Sequence, residues 1–340
     1  MTQFTVDDVA EAAGSNEPGR FGFIELTAAF AWLAAAGVTA FWPDIEEPPP
    51  YTLEFAVLLA LVAVALATSA IAGRWLGPAG SWLRPWGPWL ILGAVIVTAW
   101  ELLTAKYGLL PLPFFAPPQG FFAPPQGLLE VYVDDWPRLG LSVLHSLRLL
   151  ALGYLTGVVI GFVVGVSLGW SKIVGYWVHP ILRFVGPLPA TAWLPLAFFM
   201  FPSSGSASIF LVALATGFPV AVLTWSGVAG VNKAYYDIAR TLGASERFLV
   251  LKVAVPGAMP HVFVGLFMGL GASFSVLVVA EMLGVKAGLG WYLQWAQGWA
   301  AYANMYAALL VMALMCSGLI TLLFRTRDRL LAWQKGLVKW

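Results

Sequence analysis

Charged residues are scarce in this chain of 340 residues, where Asp, Glu, Lys and Arg together supply 10% of the positions. An average soluble domain has about 25%. Apolar residues supply 60%, and the mean hydropathy is +0.82. This balance excludes a soluble enzyme or binding module and predicts an integral membrane protein. The net charge of +1 gives no electrostatic reason to expect a nucleic-acid partner.

The sequence also has few of the residues and motifs that form disulfides, metal sites or phosphate-binding loops. Cys316 is the single cysteine and can form no intrachain disulfide, and the three histidines are scattered, so no metal site is predicted. The chain holds no Gly-Lys dipeptide, which rules out the phosphate-binding P-loop. We therefore expect no catalytic, cofactor-binding or metal-binding residues, and no ATP hydrolysis by this chain.

Uncharged runs of about 18 residues or more, by contrast, are abundant, and each is long enough to cross a hydrocarbon core as a helix. Because the runs are continuous rather than alternating, they favour helices over a β-barrel. The predicted fold is that of an all-α integral membrane protein with about eight transmembrane helices. They lie near residues 21–42, 54–74, 86–104, 143–170, 175–201, 206–230, 257–283 and 302–324.

Residues 237–256 read DIARTLGASERFLVLKVAVP and form a charged patch in this apolar chain. The patch resembles the cytoplasmic EAA loop of ATP-binding-cassette importer permeases. Asp237 stands where the loop usually has Glu, and Ile238 replaces the first Ala. The residues that the resemblance assigns to coupling with an ATPase are Asp237, Ala239, Arg240, Gly243, Ala244, Ser245 and Pro256.

Further motifs are similar to the nitrate, sulfonate and taurine branch of these type I permeases, at residues 188–195, 217–219, 280–284 and 288–290. The resemblance implies a six-helix permease core, with no cofactor in the chain itself. It implies as partners a second permease copy, two ATPase subunits that bind ATP and Mg, and an extracytoplasmic solute-binding protein, in addition to membrane lipid. The implied solute is a small anion such as a sulfonate, taurine, nitrate or bicarbonate.

The resemblance also divides the chain. Residues 1–85 are expected to hold an N-terminal tail and two extra transmembrane helices, residues 86–330 the six-helix core with a coupling loop at 231–256, and residues 331–340 a tail. With eight spans, the loops rich in Lys and Arg fall on one side, which the positive-inside rule makes cytoplasmic. We therefore expect both termini in the cytoplasm and the protein in a bacterial inner membrane.

The residue types in the coupling loop suit a short rigid element. Asp237 is expected near the positive N-terminal end of a helix, Gly243 at a tight turn, and Pro256 at the start of the next span. The loop is thus predicted as two short helices around Gly243. The alternative is a merely basic loop that sets the topology.

Glycine recurs at every fourth position within the predicted span 143–170. Such a stripe lets another backbone approach closely. Tight packing inside one subunit is the favoured interpretation, and a seam between two copies is the alternative. The stripe consists of Gly153, Gly157, Gly161, Gly165 and Gly169.

Four residues are candidates for the transport pathway or its gate. Pro189 and Pro195 lie in a proline-rich span, where a broken helix would line a path and a simple kink is the alternative. Arg148 would either attract an anion or snorkel to the membrane interface. Glu281 is expected to make a structural or gating hydrogen bond rather than to contact the solute.

Two other features and two rival functions stay open. The heptapeptide FFAPPQG occurs twice, at 114–120 and 121–127, and is interpreted as a duplication in a tolerant loop. Trp291, Trp295 and Trp299 form either an interfacial belt or a platform for a partner.

A secondary transporter driven by an ion gradient would show acidic or histidine relays inside several spans. A scaffold that transports nothing is the third possibility.

Overall fold

The computed structural model of the protein describes residues 21–45, 47–72, 86–110, 114–122, 127–186 and 188–334. Over these residues it contains helices and connecting turns, and no strand. In chain order the helices are α1 (Phe21–Phe41), α2 (Thr52–Ala72), α3 (Gly87–Glu101), α4 (Pro118–Phe122), α5 (Leu128–Asp134), α6 (Trp136–Trp170), α7 (Lys172–Val185), α8 (Leu194–Met200), α9 (Ser204–Ala229), α10 (Lys233–Thr241), α11 (Glu246–Phe248), α12 (Val255–Leu283), α13 (Leu289–Gly298) and α14 (Tyr302–Leu330).

Seven helices within the described residues are long and apolar enough to span a membrane, and the bent pair α7 and α8 raises the number to eight. The predicted all-α membrane fold and its number of spans are therefore confirmed. The longest spans exceed the predicted lengths, because α6 has 35 residues and the helix through α11 and α12 has 38. The predicted N-terminal tail up to residue 20 and the C-terminal tail from residue 335 lie outside the described residues.

The chain forms two compact units, the first ending at Asp134 and the second beginning at Asp135. In the first unit α1 packs against both α2 and α3. The indole N–H of Trp32 on α1 donates to the backbone carbonyl of Leu90 on α3 at 3.0 Å, which gives a buried polar group its partner. This packing places α3 with the two N-terminal helices, whereas the sequence suggests it as the first helix of the core.

Buried polar side chains close one end of the first unit. The ammonium group of Lys106 lies 2.8 Å from the carboxylate of Asp44 and donates to two backbone carbonyls at the end of α1. Gln119, from the first FFAPPQG copy, is buried and donates to Glu101 at 3.2 Å. The first copy is thus packed against α3 rather than loose. Residues 123–126 of the second copy lie outside the described residues.

In the second unit α9 is the central helix and packs between α6 and α12. The glycine stripe of α6 makes the first of these contacts. A Cβ atom at Gly157, Gly161 or Gly165 would lie 2.5, 2.5 and 2.6 Å, respectively, from a backbone carbonyl oxygen of α9. Only glycine lets the two backbones approach so closely, and Gly153 and Gly169 extend the same contact. The stripe is therefore used within one chain.

The predicted span at 175–201 is broken into two helical pieces. α7 meets the second piece, a turn of 3₁₀-helix at Ala190–Trp193 followed by α8, at an angle of 87°. Pro189 precedes the 3₁₀ turn, and Pro195 lies in the first turn of α8. Proline is tolerated there because the first N–H groups of a helix have no intrahelical partner.

Candidate functional site

The segment between α9 and α12 is built around a glycine turn. α10 ends at Thr241, and Gly243, two residues later, has a φ of +80°. The Gly243 N–H donates to the carbonyl of Arg240 at 2.9 Å, and the Ala244 N–H donates to the carbonyl of Ala239 at 3.0 Å. This pair of bonds is the Schellman motif, which requires a left-handed residue after the helix. Four predicted coupling residues thus build one rigid turn.

Ser245 begins the next helical segment, since its side chain accepts a hydrogen bond from the N–H of Phe248 at 3.4 Å. α11 continues through a π-helix, Leu249–Ala254, into α12 without a break. Pro256 lies in the first turn of α12. The wider π turn precedes this proline, which cannot donate to a regular helical ladder. The second short helix predicted from the sequence is therefore the beginning of one long helix.

Asp237 lies elsewhere in α10 than the sequence suggests. It is the fifth residue of the helix, in its second turn, and not at the positive N-terminal end. Its carboxylate lies 3.9 Å from Arg240, and Arg240 lies 3.7 Å from Glu246 on the other side of the turn. Exposed pairs of this kind contribute little to stability. They orient Arg240 across the Gly243 turn.

The same segment exposes apolar side chains at the surface of the protein. α10 has no buried residue, and Tyr235, Ile238 and Leu242, the residue that follows the helix, have the i, i+3, i+7 spacing of a single helical stripe. An exposed apolar patch centred on α10, which is not among the helices long and apolar enough to span a membrane, is typical of a surface that contacts another protein or a membrane. We call this patch the loop face; its residues and exposed fractions are Tyr235 62%, Ile238 59%, Leu242 82%, Phe248 50% and Leu251 64%.

One aromatic contact ties the loop face to the membrane helices. The ring of Tyr236 on α10 packs edge-on against Trp170 at the end of α6, with 5.7 Å between centroids. Both rings cover a buried cluster that contains Val228 of α9 and Ala258 of α12. A displacement of α10 would therefore disturb the packing of three spanning helices, α6, α9 and α12.

A second polar site lies at the opposite end of α12. Glu281 is completely buried and accepts from the hydroxyl of Ser146 on α6, at 2.7 and 2.9 Å to its two oxygens. The N–H of Gly290 on α13 donates to the same carboxylate at 2.9 Å. The Ser146 oxygen accepts from the N–H of Leu289 at 2.8 Å. One carboxylate thus joins α6, α12 and α13.

Glycines make room for this carboxylate. Gly288 has a φ of +101°, and a Cβ atom there would collide with the carboxylate of Glu281. The sequence motif at 288–290 is therefore explained by close approach and by backbone conformation. The sequence motifs do not single out Ser146, although one signal for it is present. Ser146 lies seven residues before Gly153 and so shares the face of the glycine stripe.

Polar and aromatic side chains also gather around α13. The Tyr292 hydroxyl donates to Asp135 at 2.5 Å, and the Asn304 amide donates to the Tyr292 oxygen at 2.7 Å. Burial, and then the hydrogen bond to Asp135, raises the pKa of Tyr292 well above the ordinary phenol value, so this hydroxyl remains a donor at neutral pH. The guanidinium of Arg138 covers the ring of Trp295 at 4.5 Å. Trp295 therefore packs beneath a cation rather than forming a free platform.

The four pathway candidates occupy three different environments. Glu281 is buried in its network, Arg148 is exposed on α6, and Pro189 and Pro195 flank the bend after α7. Within the described ranges, no group of three or more His, Cys, Asp or Glu side chains is placed to hold a metal ion. The positions with clear partners are therefore the glycine turn and the Glu281 network.

Several known proteins are similar in sequence to a large part of this chain. Residues 157–333 match the family described as binding-protein-dependent transport system inner membrane component. The chain is 31% identical over 203 residues to the nitrate import permease protein NrtB of Synechococcus elongatus, covering 59% of this chain and 70% of that protein. It is 29% identical over 194 residues to the bicarbonate transport system permease protein CmpB of the same species, covering 56% and 66%. A probable ABC transporter permease protein of Brucella abortus is 30% identical over 194 residues, covering 57% and 78%.

The matched region contains the Gly243 turn, the loop face and Glu281, and it supports an importer over a transporter driven by an ion gradient. The chain crosses the membrane several times, and ATPase and binding-protein partners are general to this family. The protein therefore belongs to the family of inner-membrane components of binding-protein-dependent transport systems, as a permease of an ATP-binding-cassette importer.

Proposed function

We propose that this permease moves a small oxyanion into the cell, as one of two copies assembled with two ATPase subunits and one extracytoplasmic binding protein. Two of its relatives are named for nitrate import and for bicarbonate transport, and both of these anions are planar and singly charged. ATP and Mg belong to the ATPase subunits, since this chain has no P-loop. The chain itself supplies no catalytic group.

The observation that carries this proposal is the loop face. A helix with no buried residue gains little stability from its own chain, yet α10 is held rigidly by the Schellman turn at Gly243. Rigidity and exposed apolar area together suit a docking element for a soluble partner. We assign Asp237, Arg240 and Ser245 to the shape of this element, and Leu242, its most exposed apolar residue, to the contact itself.

A continuous helix gives the docking element a mechanical connection to the far side of the membrane. Residues Glu246–Leu283 form one span of 38 residues, which is about 57 Å long at 1.5 Å per residue. Its first turn carries Phe248 of the loop face, and its last turns carry Glu281. Closure of two ATPase subunits would tilt this helix as a rod. This tilt would strain the hydrogen bonds of Glu281, which join α12 to α6 and α13.

The pathway candidates take their roles from this geometry. We assign Glu281 to the gate, because breaking its bonds to Ser146 would separate α12 from α6. The bend between α7 and α8, with Pro189 and Pro195, gives a break at which backbone groups face a path. Arg148 would attract the anion electrostatically. The loop face and both termini lie on the cytoplasmic side, because the positive-inside rule places the loops rich in Lys and Arg there.

Replacing Leu242 with aspartate tests the docking role of the loop face. The variant is expected to bind its ATPase about 100-fold more weakly, because docking would bury an unpaired carboxylate at a penalty of several kcal/mol. Trp299→Asp is the matched control, since Trp299 is also highly exposed, at 75%, and lies beyond α13. Its ATPase affinity should not change. Both would be measured by titrating the solubilised permease with purified ATPase. Equal affinity for the two variants would contradict the assignment.

A further inference from the structure

A basic groove of about 1110 Å³ lies between α7, the end of α6 and α9. Its lining contains three basic side chains, Lys172, His179 and Arg183, and no Asp or Glu among the described residues. The spacing of i, i+7 and i+11 places all three on one face of α7. The rest of the lining is apolar or aromatic apart from Ser171 and includes Trp170 and Trp225. The groove therefore combines positive charge with apolar walls.

The outer face of α7 has the opposite character. Its apolar side chains follow the i, i+4, i+8, i+11 spacing of one stripe and are largely exposed. In a membrane, a helix with a basic face and an apolar face presents the first to lipid headgroups and the second to acyl chains. The stripe consists of Ile173, Trp177, Ile181 and Phe184, with exposed fractions of 75, 69, 59 and 74%.

The groove opens at the end of the second unit that carries the loop face. Trp170 lines the groove and packs against Tyr236 of α10. On the other wall, His179 packs edge-on against Trp225 at 4.4 Å between ring centroids. Tryptophan and tyrosine concentrate at the depth of lipid headgroups in membrane proteins. The basic residues are thus at the level where lipid phosphates lie.

The size of the groove decides between two anionic ligands. A drug-sized molecule fills a pocket of about 300–1,000 Å³, so a small inorganic oxyanion would leave most of this space and all of its apolar wall without a partner. A phospholipid offers phosphate to the basic side chains, and acyl chains to the apolar walls of the groove and to the outer stripe of α7. Basic pockets between transmembrane helices bind lipid headgroups of this kind.

We propose that this groove binds anionic phospholipid, with Lys172 and Arg183, which lie about 16.5 Å apart along α7, each contacting a lipid phosphate, and with the apolar walls of the groove and the exposed stripe of α7 contacting acyl chains. Arginine suits this role because its planar guanidinium forms two parallel bonds to a phosphate. Through Trp170 and Tyr236 the bound lipid restrains α10.

The test uses the full chain in nanodiscs that contain equal amounts of phosphatidylglycerol and phosphatidylcholine. Native mass spectrometry after mild detergent extraction counts the retained molecules of each lipid. The wild type is expected to retain phosphatidylglycerol preferentially. Lys172→Gln with Arg183→Gln should lower this preference about tenfold, since each basic residue near a lipid surface contributes to binding. The charge-conserving pair Lys172→Arg with Arg183→Lys should keep most of the preference and report on correct folding.

Lys286→Gln with Arg329→Gln is the matched control, because both residues are exposed and neither lines the groove. This pair should retain lipid as the wild type does. Equal retention of the two lipids by the wild type would overturn the proposal, as would an equal loss in the control pair. Displacement of phosphatidylglycerol by millimolar nitrate or bicarbonate would also overturn it and would assign the groove to the transported anion.

Discussion

Replacing Gly243 with valine is expected to abolish ATP-driven uptake while the protein still folds in the membrane. Gly243 has a φ of +80°, and a Cβ atom there would meet nothing within 4 Å. The penalty is therefore one of backbone conformation, about 1–2 kcal/mol for an ordinary side chain in the left-handed region and more for a β-branched one. The turn would relax to negative φ, and the two hydrogen bonds that close the C-terminal end of α10 would be lost.

Asparagine at position 243 distinguishes an effect of backbone conformation from an effect of side-chain volume. Asn tolerates the left-handed region, so Gly243→Asn should keep most of the uptake although its side chain is as long as a leucine. Gly205→Val is a second control, because Gly205 also has open space around its Cβ position and its φ is not positive. Uptake rates would be compared at equal amounts of membrane-inserted protein. Equal activity of the valine and asparagine variants would show that the Schellman turn has no part in coupling.

Replacing Glu281 with alanine is expected to have the largest effect on stability. The substitution leaves the Ser146 hydroxyl and the Gly290 N–H buried without their acceptor. Each unsatisfied buried donor costs about 1–3 kcal/mol, and the space left by the carboxylate adds a cavity. We expect α13 to detach from α6 and α12. The loss would be measured as a lower midpoint of unfolding when the purified protein is titrated with SDS in mild detergent micelles.

Two further substitutions show whether hydrogen bonding is the cause. Glu281→Gln keeps one acceptor for Gly290 and fills nearly the same volume, so its midpoint should lie between those of the wild type and the alanine variant. Gly288→Ala should destabilise the protein from the other side, since its Cβ would collide with the carboxylate at a positive φ. If the alanine variant were as stable as the glutamine variant, the network would not be what holds these three helices.

Several elements of this fold follow from the sequence because a single physical rule dominates them. Uncharged runs must become helices in lipid, which gives the number of spans. Glycine at every fourth position of α6 has only one use in a helix, the close approach of another backbone, and α9 supplies that backbone. A glycine between two polar helical stretches indicates the turn at Gly243, since other residues are strained in its conformation.

Other elements depend on partners that are distant in sequence. The bend of 87° after α7 needs the position of α9 as well as the prolines, because either proline alone fits at the start of a straight helix. Asp237 fits two positions in a helix equally well by charge, and the Asn232 cap, which starts α10 at Lys233, places it in the second turn. Glu281 is 135 residues from its partner Ser146, so nothing local in its sequence indicates which helix it binds. Periodicity likewise gives no reason why α3 packs with α1 and α2.

The most direct test of this account is the uptake of labelled nitrate and bicarbonate into vesicles that contain the permease, its ATPase and its binding protein. With the loop face oriented into the lumen, ATP and Mg inside the vesicles and binding protein outside, the account predicts accumulation of at least one of the two anions. Leu242→Asp and an ATPase unable to hydrolyse ATP should each prevent accumulation. Uptake of the same anion driven by a proton or sodium gradient, without ATP or binding protein, would contradict the account.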